Sequence, residues 1–330
     1  MVCFPGNNVR VLVLSDADVR ALLDMPGCIR AVEEGLISLA QDGVLEPLRM
    51  MVRPADGDSA LALMPVHRGG DRPVYGLKSV AVFPGNSARG FDPHQGTVTL
   101  FDGRSGMPLA ILNAEPITAI RTAAATAIAT RLLARADGRP VAVIGAGRQA
   151  RAHIEAMRVV GFGDNVRIAS RTESSARRLA DEAGATACLT VEEAVRGAGV
   201  VVTVTSSRDP VIRREWLATG AHVNGVGSCF PETRELDSAT MADATLFTDR
   251  LESLRREAGD YVIARAEGAI EADHPAVEIG SVLTGDHPGR RSDGELTVFK
   301  SLGIAIEDLA AAEYVVRRAR ETGTGRSVDF

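Results

Sequence analysis

Cysteine is scarce in this sequence, and its few cysteines form no recognisable pattern. The 330 residues include Cys3, Cys28, Cys188 and Cys229, and no two of them make a CxxC pair. This spacing argues against a zinc ribbon and a disulfide scaffold, and it favours a reducing compartment. The six histidines show no metal-ligand spacing either. We therefore expect neither a metal site nor structural disulfides.

The sequence also lacks long apolar runs and dense basic runs. No apolar stretch reaches the length of about 18 residues that a membrane-spanning helix needs, and no export signal opens the chain. We therefore expect a cytoplasmic protein without a membrane partner. The 37 Lys and Arg residues against 43 Asp and Glu residues give a net charge of −6. Without a basic cluster along a phosphate backbone, a nucleic acid is not expected as a partner.

The composition that remains is that of a folded protein. Hydrophobic residues make up 45% and charged residues 24% of the chain, which excludes a disordered, collagen-like or coiled-coil protein. A length of 330 residues exceeds what one hydrophobic core usually covers. The length therefore predicts two domains.

The first third of the chain predicts a mixed α/β domain. A strand is expected at 9–14, and helical spacing follows at 19–23 and 29–41. Short segments rich in β-forming residues come next, separated by Gly, Pro, Asp and Asn. They lie at 49–53, 60–66, 74–82, 96–101 and 109–112. This pattern is typical of an antiparallel sheet.

From Pro116 onwards the pattern changes. An alanine-rich run at 117–134 predicts a helix, and after residue 140 strands and helices alternate, as in a doubly wound parallel sheet. The fold class expected is therefore α/β. A Rossmann-type domain at 117–304 joins a mixed α/β domain at 1–116, and a helix within 305–330 packs back on that first domain.

A glycine motif follows the first strand of the expected parallel sheet. Gly145 permits a tight turn, Gly147 allows the backbone to approach a pyrophosphate, and Ala150 allows the helix to pack closely on the strand. Ala146 completes the turn, and the helix amino terminus attracts negative charge. Because the motif lies between a strand and a helix, we expect a bound dinucleotide. An ordinary glycine-rich turn is the alternative.

The end of the next strand indicates which dinucleotide is bound. An NAD site would place a carboxylate here, where this sequence has Ser170, Arg171 and Thr172. A guanidinium and two hydroxyls attract a 2′-phosphate, so NADP is favoured over NAD. The alternative for Arg171 is a solvated residue at the start of a helix.

Several motifs in order resemble the ornithine cyclodeaminase and mu-crystallin family. They span residues 45–308 and comprise GLKS at 76–79, GTVTLF at 96–101, ITAIRTAA at 117–124, GAGRQ at 145–149 and TVFKSLGIAIED at 297–308. The resemblance implies that the first domain binds substrate and forms a homodimer. It also implies that the second domain binds NAD(P).

The resemblance further implies that Lys78, Arg49 and Arg121 hold the substrate beside the nicotinamide. Cations of this kind suit an α-carboxylate, and a buried lysine with a lowered pKa can exchange a proton with an imine or amine nitrogen. Ordinary salt bridges are the alternative for all three. The cofactor residues that the resemblance implies are Thr97, Arg148, Gln149, Thr205, Val226, Gly227, Ser301 and Leu302.

One position departs from the family pattern. Cyclodeaminases of this family have a substrate-contacting aspartate where our alignment places Cys229, so Cys229 is a candidate substrate-binding residue, with a small apolar filler as the alternative. A neutral thiol does not replace the charge of that aspartate on an ammonium group. The expected activity is therefore NADPH-dependent reduction of a small α-imino acid to an amino acid. The substrate is a cyclic ketimine such as pyrroline-2-carboxylate, or an imine of a 2-oxo acid and an amine. An ornithine cyclodeaminase with internally recycled NAD and an NADPH-dependent ligand-binding protein without turnover remain alternatives.

Overall fold

The computed structural model describes residues 10–55, 57, 59–92 and 94–329, so Cys3 lies outside the described residues. The chain forms two compact units. The first contains residues 1–121 and 304–330, and the second contains residues 122–303. The second unit is thus an insertion in the first. The division falls inside a helix, at residue 121, whereas the sequence suggested a boundary in front of that helix.

The elements before the second sheet are, in chain order, β1 (Arg10–Leu14), α1 (Asp16–Leu22), α2 (Met25–Ala40), β2 (Val44–Leu45), β3 (Met50–Val52), β4 (Ala60–Arg68), β5 (Val74–Val82), β6 (His94–Asp102), β7 (Pro108–Asn113) and α3 (Ala114–Leu133). The next are β8 (Val141–Ile144), α4 (Arg148–Val159), β9 (Val166–Ala169), α5 (Glu173–Ala183), β10 (Thr186–Ala187), α6 (Val191–Val195), β11 (Val200–Thr203), β12 (His222–Gly225), α7 (Ser238–Asp243), β13 (Thr245–Thr248), α8 (Leu251–Glu257), α9 (Gly259–Ala266), β14 (Ala276–Glu278), α10 (Ile279–Leu283) and β15 (Thr297–Lys300). The chain then continues through α11 (Ala305–Thr322) and β16 (Arg326–Asp329).

The sheet of the first unit is mixed and not purely antiparallel. Its order is β16-β1-β7-β6-β5-β4-β2, with β3 paired to β4. All of these pairs are antiparallel except β1 and β7, which run parallel. The whole run from α1 to β6 lies between β1 and β7, so no hairpin forces them to run antiparallel.

Helices α2 and α11 pack together in the first unit, and α11 also contacts β4, β5 and β6. α2 begins at Met25, ahead of the expected residue 29, because Asp24 accepts a hydrogen bond from Gly27 N (2.8 Å) and caps the helix. A Cβ at Gly27 would lie 2.2 Å from Tyr314 Oη, so only glycine allows this approach of the two helices. Tyr314 Oη in turn donates to Asp24 (2.6 Å). These contacts fix α11 beneath the sheet.

The second unit is a parallel sheet in the order β10-β9-β8-β11-β12-β15-β13-β14. Its central strands are buried along their whole length, as the runs Val141–Ile144 and Val200–Thr203 show. The strand order reverses between β8 and β11, and ligands of such sheets bind beyond the carboxyl ends of the strands at that point.

None of the described helices is both long and apolar enough to span a bilayer.

Candidate active site

A cluster of buried charges lies in the first unit, between β5, α3 and α11. Lys78 Nζ donates to both carboxylate oxygens of Asp308, at 3.1 and 3.2 Å. Arg121 Nε donates to Asp308 (2.8 Å) and its Nη1 donates to Glu307 (2.7 Å). The side chains of all four residues are at most 5% exposed. Asp308 is therefore the shared acceptor that holds both cations in place.

The neighbours of Lys78 set its protonation. Burial lowers the pKa of Lys78 to about 8, Asp308 opposes this shift, and the charges of Arg121 and Arg49 add to it. Burial also disfavours the charged form of Arg121, but Asp308 and Glu307 outweigh it, and the pKa of Arg121 rises. Arg121 is thus a permanent cation, while Lys78 can give up or take a proton near neutral pH.

The structure places Lys78 and Arg121 around Asp308, and the charge of Arg49 acts on Lys78. Arg49 is half-buried between β2 and β3. Thr97 does not face Lys78. It pairs with Ser79 in β5, and its hydroxyl lies 3.3 Å from the Ser79 hydroxyl. Since side chains alternate along a strand, Thr97 lies on the sheet face opposite Lys78.

The glycine motif of the second unit has the geometry of a dinucleotide turn. Gly145 has φ +126°, and a Cβ there would lie 2.8 Å from Val204 O, so glycine is required. Gly147 is the N-cap of α4 and makes no side-chain cap, and apart from its chain neighbours no atom of the described residues lies within 4 Å of where its Cβ would be. Ala150 is fully buried against the sheet. The backbone at Gly147 and the first N–H groups of α4 are thus open to a phosphate.

Two orphaned polar atoms also suit a ligand at this edge of the sheet. Gln149 Oε1 and Ser301 Oγ are buried and have no hydrogen-bond partner among the residues that the structure describes. Both were candidate cofactor residues. Arg148, the first residue of α4, is exposed, and Ala146 is half-buried in the turn. The residues present therefore fit a dinucleotide.

Strand β9 pairs with β8, which places Ser170, Arg171 and Thr172 beside the glycine turn. Arg171 and Thr172 are exposed, and Ser170 Oγ donates to Thr172 O (2.7 Å). The next acidic residue along the chain, Glu173, forms an ion pair with Arg177 one helical turn later. This strand end therefore presents a guanidinium and hydroxyls.

Thr205, Val226 and Gly227 follow β11 and β12, at the carboxyl edge of the sheet. Leu302 follows β15, and its N–H donates to Asp249 (2.7 Å). Cys229 is half-buried and packs against the apolar core of the second unit, which suits a small apolar side chain.

The sequence reasoning missed three acidic residues. Asp308 and Glu307 hold the cations of the first unit, and Glu235 accepts hydrogen bonds from Thr205 and Gly227. A signal existed for the first pair, since two adjacent carboxylates in an otherwise apolar helix start are costly to bury unless they are paired. No local signal distinguished Glu235 from its charged neighbours.

Comparisons with known proteins point to one family. The model of the ornithine cyclodeaminase/mu-crystallin family matches residues 9–323. Ketimine reductase mu-crystallin of Mus musculus is 37% identical over 275 residues, which is 83% of this chain and 85% of that protein.

Two solved structures match over nearly the whole chain. The structure of Thermococcus litoralis Delta(1)-pyrroline-2-carboxylate reductase in complex with NADH and L-proline has 31% identity and a TM-score of 0.91, covering 96% of this chain and 100% of that chain. An archaeal alanine dehydrogenase dimer with bound NAD has 33% identity and a TM-score of 0.91, covering 97% and 99%.

Proposed function

The chain belongs to the ornithine cyclodeaminase/mu-crystallin family, and from that premise we infer an enzyme that reduces an imine to an amino acid with a nicotinamide dinucleotide. Within this class we propose NADPH as the cofactor. The proposed substrate is a small α-imino acid, either a cyclic ketimine such as pyrroline-2-carboxylate or the imine of a 2-oxo acid and an amine. The observation that carries the proposal is the buried Lys78–Asp308–Arg121 cluster, which occurs in a chain that also has a dinucleotide turn.

Each residue of the cluster has a role in this reaction. The fork of Arg121, fixed by Asp308 and Glu307, binds the substrate carboxylate together with Arg49. Lys78 holds the proton at the imine nitrogen, so that the carbon is electron-poor. When bound, the reduced cofactor supplies a hydride to that carbon. The amine nitrogen keeps the proton, and the products are an amino acid and the oxidised cofactor.

Cofactor residues are proposed along the edge of the second sheet. Gly145, Ala146 and Gly147 would face the pyrophosphate, and Ser170, Arg171 and Thr172 the 2′-phosphate. The other residues proposed at this edge are Arg148, Gln149, Thr205, Val226, Gly227, Ser301 and Leu302. Thr97, in β6 of the first unit, is proposed as a cofactor residue from the family resemblance alone. We propose that residues 117–304 bind the cofactor and that 1–116 with 305–330 bind the substrate.

We also propose a homodimer formed through the first unit. Its strands carry exposed apolar side chains, among them Leu61 (38%), Tyr75 (48%) and Val328 (40%). Burying such side chains against a second copy is favourable. Light scattering at micromolar concentration should give twice the mass of one chain, and a monomer would refute the dimer.

The reaction is tested by following the absorbance of NADPH and of NADH against a panel of cyclic ketimines and 2-oxo acid plus amine mixtures. Ammonia release from ornithine is assayed in parallel. Oxidation of NADPH by an imino acid is expected. Ammonia from ornithine without net cofactor turnover would indicate a cyclodeaminase, and tight binding without turnover in any assay would indicate a ligand-binding protein.

A further inference from the structure

Glu235 lies in the loop between β12 and α7, and its side chain is completely buried. Its Oε1 accepts from Thr205 N (2.6 Å) and Thr205 Oγ1 (2.7 Å). Its Oε2 accepts from Gly227 N (2.6 Å) and Thr203 Oγ1 (2.8 Å). One carboxylate therefore joins the carboxyl ends of two neighbouring parallel strands, β11 and β12.

The two strand ends that Glu235 joins lie unusually close together. A Cβ at Gly227 would lie 2.1 Å from Thr205 O and 2.4 Å from Thr205 N, so no other residue fits there. Gly227 N also reaches Thr203 O at 3.1 Å. The separation of residues 205 and 227 is thus set by backbone contact and by the shared carboxylate.

Glu235 is itself fixed from two other elements. Asp260 in α9 accepts from Glu235 N (2.7 Å) and Leu236 N (2.8 Å) through Oδ1. Its Oδ2 lies 3.0 Å from Lys300 Nζ, which donates to Gly225 O (3.1 Å) at the end of β12. The network therefore ties β11, β12, β15 and α9 together at one edge of the sheet.

This arrangement is expensive for folding alone. Two carboxyl groups and one amine are buried together, burial raises the pKa of Glu235, and apolar side chains often stabilise such positions better. Charged groups, unlike apolar side chains, form directional hydrogen bonds to specific N–H groups. Those N–H groups belong to Thr205 and Gly227, which we propose as cofactor residues.

We propose that Glu235 is a positioning residue for hydride transfer. By holding Thr205 and Gly227 at a fixed separation, it would keep the surface that these two residues offer to the nicotinamide in one shape. The inference rests on the proposed function, since it needs a nicotinamide at this edge of the sheet. The side chain of Glu235 is completely buried, so it acts through Thr205 and Gly227.

The test compares Glu235→Gln with Asp237→Asn. The amide in Glu235→Gln keeps the size of the side chain but sets an NH₂ group against N–H donors, whichever way it is turned. Asp237 lies in the same loop and accepts from Thr240 N (2.9 Å) and Arg214 N (3.1 Å), so its variant removes a similar charge without touching the strand ends. For each protein we measure kcat, KM for the imine, the dissociation constant of NADPH, the melting temperature, and the primary isotope effect with NADPH deuterated at C4.

For Glu235→Gln we expect kcat to fall about 10- to 100-fold because the donor–acceptor geometry is lost. The isotope effect should rise, while KM for the imine should change by less than about 3-fold because the cations of the first unit are untouched. Asp237→Asn should keep the wild-type isotope effect. The inference is overturned if Glu235→Gln keeps the wild-type kcat. It is also overturned if activity falls only with the folded fraction at an unchanged isotope effect. If the wild-type protein oxidises neither NADPH nor NADH with any imine, the proposed function fails first, and the role of Glu235 fails with it.

Discussion

Lys78 lies among charges that oppose one another, and their balance sets the pH range of the reaction. Burial lowers its pKa to about 8. The proposed reduction uses the protonated amine, so activity is present below this pKa and is lost as the pH rises through it. We expect kcat/KM to fall about 10-fold per pH unit above that point, measured from initial rates with NADPH. A profile that stays flat up to about pH 10 would contradict Lys78 as the acid.

Asp308→Asn tests whether the alkaline limb of the pH profile, the fall of kcat/KM at high pH, belongs to Lys78. Because the charge of Asp308 raises the pKa of Lys78, its removal should move the alkaline limb to lower pH. A limb that came from the substrate imine would stay where it is. Glu313→Gln is the matched control, since Glu313 lies on the same helix and pairs with Arg68 (2.7 Å), away from Lys78. Equal shifts of the alkaline limb in both variants would show that the effect is not specific to Asp308.

Arg171→Asp tests the choice of dinucleotide. An exposed guanidinium at the end of β9 attracts a 2′-phosphate, and a carboxylate there repels it. We expect the dissociation constant of NADPH to rise about 10- to 100-fold, while that of NADH changes little. Arg178→Asp changes the net charge equally on the exposed side of α5 and should leave the preference intact. Equal weakening of both dinucleotides would show that Arg171 does not contact the 2′-phosphate.

At the scale of elements, the contact between α2 and α11 supports the charged cluster. In Gly27→Ala the new methyl would overlap Tyr314, with 2.3 Å to its Cζ, so α11 must move. Such overpacking costs about 1–3 kcal/mol. Because α11 carries Glu307 and Asp308, we expect a lower melting temperature together with a lower kcat/KM.

Gly35→Ala provides the comparison on the same helix face. A Cβ at Gly35 would lie 3.3 Å from Ala310 Cβ and from Ile306 Cγ1, which a small shift relieves. The added alanine also favours the helix by about 1 kcal/mol. Gly35→Ala should therefore retain more stability than Gly27→Ala in thermal melts. The reverse order would show that Tyr314 moves aside freely.

The elements that were predictable from sequence are those with a clear period or a motif. Val141–Ile144 and Val166–Ala169 are strands of the alternating pattern that was expected after residue 140, because a short apolar run between a Pro or Asn and a Gly or Ser is well delimited. β15 lies inside the sheet but was not predicted, because a run of four residues that ends in a lysine shows no periodic pattern of apolar residues. The parallel pairing of β1 and β7 also depends on contacts between distant segments. In the same way, Lys78 and Arg121 could be named from family motifs. Their pairing with Asp308 and Glu307, which lie in a distant segment of the chain, required the structure.

At the scale of the whole molecule, the insertion of the second unit into the first has a consequence for stability. The first unit is complete only when residues 304–330 return to it with α11 and β16. A fragment that ends at residue 121 therefore lacks the carboxylates of the cluster and the cover of its sheet. The two units also differ in their buried ionisable groups, and this difference predicts how acid acts on the molecule.

The second unit buries two neutral histidines. His153 Nδ1 donates to Gln149 O (2.7 Å) and its Nε2 lies 3.1 Å from Thr126 Oγ1. Burial lowers the pKa of His153 from 6.5 to about 4. Burial, together with Arg290, lowers the pKa of His222 to about 3. Between these values and 6.5 the unfolded chain binds protons that the folded unit does not, so stability is lost as the pH falls below about 6.5.

We expect the free energy of unfolding of the second unit to fall by about 2 kcal/mol per histidine between pH 7 and pH 5. The single tryptophan, Trp216, packs against the core of the second unit, so its fluorescence during urea denaturation reports on that unit. His153→Gln should lower the stability at pH 7 and reduce its loss on going to pH 5. His67→Gln, a change in the first unit, should leave the pH dependence of the Trp216 signal as it is. If His153→Gln and the wild-type protein lose equal stability over this range, His153 is not the group that acid protonates on unfolding.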